Sequence, residues 1–160
     1  MLNPDSSLGS LSRRNDRIAG CFVGLAVGDA LGAPLEFLSR YEVRKRYPAG
    51  LRDMIDSCLW RTGEYTDDTQ MALLIAESLL DKNGFQISEL AQRFQNWTTT
   101  AKDVGVQTRA VVNMAGYLSD PEGCSSRYHV AHPNSSAGNG AVMRCAPVAI
   151  FCLDSLEQLV

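Results

Sequence analysis

The chain has 160 residues, 45% of them hydrophobic and 21% charged, an ordinary globular composition that excludes a disordered, collagenous or low-complexity scaffold. Eighteen acids against fifteen bases leave a formal charge of −3, so neither nucleic acid nor an anionic membrane is an expected partner. Five cysteines without a Cys-x-x-Cys pair fit reduced thiols in the cytoplasm better than a disulfide framework or a structural zinc site.

In chain order, residues 1–16 read as a polar, mobile tail ahead of an ordered portion over 17–160. Arg13 and Arg14 precede the apolar run 18–27 in the outline of an export signal. Asn15, Asp16 and Arg17 break the junction and no small-x-small cleavage site follows, so export is not expected. The run itself is far shorter than the roughly 20 residues of a membrane span. Ile18, Phe22, Leu25 and Ala26 form one stripe of a helix. Gly20, Gly24 and Gly28 recur on another face. Each costs a helix about 1 kcal/mol against alanine, and the spacing predicts close packing of a neighbour. Pro34 ends or kinks this helix.

Residues 39–63 read as a loop with a short helix, its basic residues on a solvated face. Residues 71–80 are a strong helix, with Met71, Leu74, Ile75 and Leu79 on one stripe and Asn83-Gly84 as the stop. Ser88 is positioned to cap the next helix, whose Leu90, Phe94 and Trp97 point inward. A fourth helix is predicted over 104–118, a loop over 123–138, and a last helix from about 142 to the chain end. No strand pattern or internal repeat is present, and the predicted class is all-α.

Four polar clusters interrupt this frame. In Gly28-Asp29-Ala30-Leu31-Gly32-Ala33-Pro34-Leu35-Glu36, Asp29 and Glu36 are seven apart, so two helical turns place both carboxylates on one face. Either they serve a cation or backbone donors, or Asp29 is a cap and Glu36 a surface charge. Tyr65-Thr66-Asp67-Asp68-Thr69 stands directly before the strong helix. Capping and the helix dipole explain adjacent acids there, yet an all-oxygen set of this kind also suits a hard divalent cation. Asp103, in Lys102-Asp103-Val104-Gly105, reads most simply as a helix N-cap. Gly138-Asn139-Gly140 running into a helix is either a plain turn or a phosphate cradle of backbone N–H groups; the Gly-Lys-Ser/Thr ending of a P-loop is absent.

In this order, GDALGAPLE, YTDDTQMAL, KDVG followed by Thr108-Arg109, and GNGAVMRCAP closely resemble the ADP-ribosylglycohydrolase family, over residues 17–148. The resemblance implies an all-α domain holding two divalent ions, Mg or Mn. It implies Thr66, Asp67 and Asp68 as metal ligands, with Glu36 a further ligand or an acid/base group. Glu36 and Asp67 are then the catalytic carboxylates. Ser136, Ala137, Gly138, Asn139 and Gly140 hold the diphosphate of an ADP-ribose substrate, while Asp29, Asp103 and Arg144 support the site. The implied reaction is metal-dependent hydrolysis of the glycosidic bond of an ADP-ribosylated side chain or related ADP-ribosyl compound.

The family pattern also has a closing Asp-x-Asp-Thr metal motif, which occurs nowhere here. The chain is therefore expected to be the N-terminal half of a longer enzyme, with a C-terminal half as its missing partner, or else a shortened family member. Two other readings stand beside the hydrolase: an inactive ADP-ribose-binding or regulatory fragment, and a structural, crystallin-like relative. The retained Glu36, Thr66, Asp67, Asp68 and Gly-Asn-Gly turn argue against the last.

Overall fold

Seven α-helices, two 3-10 turns and no strand make up the described residues, the all-α class that the periodicity predicts. The structure, a computed structural model, describes residues 4–154, with side chains from residue 12 onward. The chain forms two compact units, Met1–Tyr65 and Thr66–Val160.

The first unit is led by α1 (Pro4–Gly32), a helix of 29 residues. The tail anticipated over residues 1–16 coincides, from Pro4 onward, with the first turns of this helix. Proline suits a first turn because its missing N–H would have no helical partner there, and no second proline follows before Pro34. Residues 1–3 lie outside the described residues. The close packing expected of the glycine face is not observed among the described residues, where a Cβ at Gly20, Gly24, Gly28 or Gly32 would meet nothing within 4 Å. The segment Ser12–Leu35, 24 residues, is also long and apolar enough to cross a membrane by length and composition. Counting uninterrupted apolar runs understates it, because interspersed glycine and alanine hardly lower the average. Buried core helices and N-terminal signals share this character.

The helix stops at Gly32, and a 3-10 turn, Ala33–Leu35, carries Pro34. Asp29 and Glu36 therefore do not share two turns of one helix: Glu36 lies beyond the turn with φ −55° and ψ 143°. Next, α2 (Arg40–Arg46) opens with a capping box at Ser39 and Glu42, the short helix expected in this stretch. Residues 47–65 have no regular element. They are pinned in part by Asp56 Oδ1, which accepts from the Thr62 N–H (2.7 Å) and hydroxyl (2.8 Å).

In the second unit, α3 (Asp67–Lys82) buries Met71, Ile75 and Leu79, spaced four apart on one face. It ends as predicted, with Asn83 in the left-handed region at φ 47° and the Gly84 N–H returning to the Leu79 carbonyl. α4 (Ile87–Thr98) packs Leu90, Ala91 and Phe94 against that face. Ser88 is not its cap. The helix already begins at Ile87, with Gln86 in the cap position and no side-chain cap bond, so Ser88 is inside the first turn.

The helix predicted over 104–118 is shorter, α5 (Val106–Val112); Gly116 at φ 83° helps turn the chain afterwards. Much of the predicted loop over 123–138 is helical, α6 (Pro121–Ala131). The Asp120 carboxylate accepts from the Gly123 N–H at 2.9 Å, Pro121 fills the first turn, and Cys124 is fully buried. Ser and Gly content conceals that buried anchor. In place of a helix from 142, the described residues hold only α7 (Ala146–Phe151), because Pro147 cannot donate back to Met143 and its ring would clash there. Residues 155–160 lie outside the described residues.

Arg93 of α4 clamps α3 to α4, reaching Glu77 at 3.3 Å and also Asp81 and Glu89. Burial pushes the Glu89 carboxyl up, but donors from Ser78 and Arg93 outweigh it and hold the group below its ordinary 4.5. A depressed carboxylate contributes stability that is fully present above its unfolded value and lost as pH falls through the folded one. Glu89→Gln is thus expected to lower the melting temperature at neutral pH and to flatten its decline below pH 4.5. Melts across that range check this; an unaltered acid limb in the variant sinks it.

Candidate functional site

The head of α3 concentrates oxygen donors in a sheltered place. Thr66, 1% exposed, occupies the cap position in extended backbone, and its hydroxyl accepts from the Asp68 N–H at 3.4 Å. Asp67 is the first helical residue, 7% exposed, and its Oδ2 accepts from the Gly105 N–H at 3.2 Å. The helix N-terminus favours the carboxylate charges at Asp67 and Asp68. Thr69 is buried and Asp68 half-buried. Gln70 is fixed by its side-chain oxygen, which accepts the Trp97 indole N–H at 2.7 Å.

The structure adds one residue to this set. Asp103, read from sequence as a helix cap, is not one: Gly105 holds the cap position of α5, with no side-chain bond. Instead a carboxylate oxygen of Asp103 lies within 4.8 Å of one from Asp67. The loop ahead of α5 turns back through the Asp67–Gly105 bond and brings Asp103 along. The family resemblance already counts Asp103 as a supporting residue, but no spacing marks this contact, because the two acids are far apart in the chain and only the loop's path joins them.

Two carboxylates this close, one of them buried, repel unless something positive lies between them. Two oxygens bound to one cation at about 2.0–2.6 Å sit at most roughly 4–5 Å apart. The Asp67–Asp103 spacing fits that geometry, and the hard all-oxygen set fits Mg or Mn better than a soft metal. Arg144 adds a fixed positive charge that interacts with Asp67. Its guanidinium lies 5.1 Å over the Phe94 ring, and Nη1 reaches Met71 Sδ at 3.3 Å. Burial pulls this guanidinium below its ordinary value, while Tyr117 and Asp67 oppose that shift. Arg144 thus ties the segment after the Gly-Asn-Gly turn to α3 and α4.

The Ser136 to Gly140 turn does not run into an α-helix. Asn139–Ala141 is a three-residue 3-10 turn, and α7 begins only at Ala146, so no long helix dipole is aimed at a ligand here. The turn is nevertheless shaped by its surroundings. The Ser136 hydroxyl meets His129 Nδ1 at 2.6 Å, and Asn139 is exposed. A Cβ at Gly138 or Gly140 would stand 3.6 Å from Gln107 Oε1 or Thr108 Oγ1.

In the first unit, Asp29 is half-buried on α1. Glu36 Oε2 accepts the Trp60 indole N–H at 2.9 Å. Sequence reasoning does not single out Trp60, since a lone indole carries no motif.

An all-helical chain with the buried Asp67 carboxylate at the head of α3 and the half-buried Asp103 carboxylate close beside it defines the class of an all-α domain with a candidate cation site. The chain belongs to the ADP-ribosylglycohydrolase family, whose model matches residues 10–160. Over 87% of its length it is 35% identical to the ADP-ribosyl-dinitrogen reductase glycohydrolase of Rhodospirillum rubrum, covering 46% of that protein. It is 34% identical to the ADP-ribosylarginine hydrolase Tri1 of Pseudomonas putida over 89% of the chain and 38% of the relative. Against the ADP-ribosylhydrolase ARH3 of Gallus gallus the figures are 32%, 86% and 40%. The chain therefore spans less than half the length of each of these relatives.

Proposed function

We propose that this chain carries part of an ADP-ribosyl glycohydrolase site, acting on the glycosidic bond between ribose and a protein side chain or a related leaving group. The buried Asp67 beside Asp103 carries the reading, because their carboxylate oxygens lie within 4.8 Å of each other, a spacing that one divalent cation spans. Thr66, Asp67 and Asp68, with Glu36 as a further ligand, hold two divalent ions, Mg or Mn; Asp103 joins them as ligand or base. When bound, such ions orient the ribose hydroxyls and lower the pKa of a water.

Asp67 or Glu36 orients the attacking water or assists the leaving group, with Asp29 in support. Ser136, Ala137, Gly138, Asn139 and Gly140 face the diphosphate, and Arg144 braces the segment that follows. The relatives' names support ADP-ribose as the recognised moiety, and five free thiols support a cytoplasmic location.

The test is calorimetry with ADP-ribose, with and without Mg²⁺, alongside release of ADP-ribose from an ADP-ribosylarginine protein. Metal-dependent binding with release is the expected result; no binding under either condition overturns the reading. Binding without release selects the ADP-ribose-binding alternative.

A further inference from the structure

Glu36 is held by a contact that spans 24 positions of sequence: the Trp60 indole N–H donates to its Oε2 at 2.9 Å. Trp60 is only 2% exposed, so the donor belongs to a packed, well-defined ring. The backbone at Glu36 returns its N–H to the Ala33 carbonyl at 3.3 Å. It leaves a three-residue 3-10 turn and enters Phe37, a bulky residue at φ 62° whose ring is 84% exposed. A phenylalanine in the left-handed region is strained, and an exposed ring brings little packing to offset this. Glu36 and Trp60 also line one cleft of about 470 Å³, together with Arg46 and Tyr47. A carboxylate on that wall could take several rotamers, and a buried donor selects among them.

We infer that Trp60 is a positioning residue, whose indole N–H fixes the Glu36 carboxylate at the cleft wall in the orientation that takes up a divalent cation. The inference rests on the metal-site reading above. Phenylalanine at position 60 fills most of the ring volume and offers no donor. The hydrogen bond, rather than bulk, is thus what the exchange removes.

The chain has two tryptophans, which gives the test an internal control. Trp97 donates to the neutral amide of Gln70 at 2.7 Å, so a ¹⁵N-labelled chain presents two indole N–H resonances in different settings. Trp60→Phe assigns them by deleting one. Without metal, Glu36→Ala is expected to shift the Trp60 resonance and leave that of Trp97 in place.

With MgCl₂ added, the wild-type Trp60 resonance should move saturably. Trp60→Phe should bind Mg²⁺ about tenfold more weakly, the range for a partner that orients a ligand, with an unchanged circular dichroism spectrum. If Trp60→Phe misfolds, the Glu36→Ala comparison and the wild-type Mg²⁺ titration still decide. A Trp60 resonance indifferent to Glu36→Ala overturns the contact itself. A folded Trp60→Phe with wild-type Mg²⁺ affinity overturns the positioning role. A Trp60 resonance that answers to Glu36→Ala but not to Mg²⁺ overturns the role of Glu36 toward the cation, whatever ADP-ribose binding shows.

Discussion

Asp67→Asn is expected to remove divalent-cation binding, with a loss beyond the roughly 10–100-fold typical of residues that only orient a ligand. The substitution is close to isosteric. The asparagine side-chain oxygen can still accept from the Gly105 N–H, which now bonds Oδ2 at 3.2 Å, and asparagine is tolerated in a first helical turn. What disappears is one negative charge next to Asp103. Relief of that repulsion opposes the loss of two attractions, to the helix N-terminus and to Arg144, so the melting temperature should fall only modestly. Calorimetry with Mg²⁺ and with Mn²⁺ is the measurement. Wild-type affinity for both ions in a folded Asp67→Asn variant removes the metal centre from the account.

The residues on which this test stands are legible in the amino-acid sequence to different degrees. Thr66, Asp67 and Asp68 are contiguous and precede a strong apolar period, so sequence places all three at one helix head, where the structure has them. The α3 stripe and its Asn83-Gly84 stop are equally readable, since both depend on spacing within a few residues. Asp103 reads locally as a cap and enters the site only through the family resemblance, because its place depends on a loop that folds back onto Asp67, a long-range contact with no local signature. α6 escapes for a related reason: its composition is that of a loop, and only the burial of Cys124 and the packing of Tyr128 show that it has an inner face. The long last helix fails on a local rule, the cost of Pro147 within it. Local chemistry reads well, and tertiary placement overrides it where a single buried side chain decides the outcome.

Phe94→Ala should have the largest effect on the fold. Phe94 is 7% exposed and packs in the core that α3 and α4 share. Removing such a ring costs about 3–5 kcal/mol, a large part of the roughly 5–15 kcal/mol that holds an ordinary domain together. The ring also has a second duty: it forms the face beneath the Arg144 guanidinium at 5.1 Å. Phe94→Leu separates the two. Leucine restores much of the buried volume but not the aromatic face, so its deficit should be smaller and weighted toward the cation–π contribution of about 0.5–2 kcal/mol. In a background where Arg144 is methionine, the penalty of Phe94→Leu should shrink by that amount, since no cation remains to be seated. Urea denaturation of the four chains closes the cycle. A Phe94→Ala variant within about 1 kcal/mol of wild type would place the core elsewhere. Equal Phe94→Leu penalties with and without the guanidinium would mean that Phe94 supports α3 by packing alone, and that Arg144 takes its position beside Asp67 from Met71 instead.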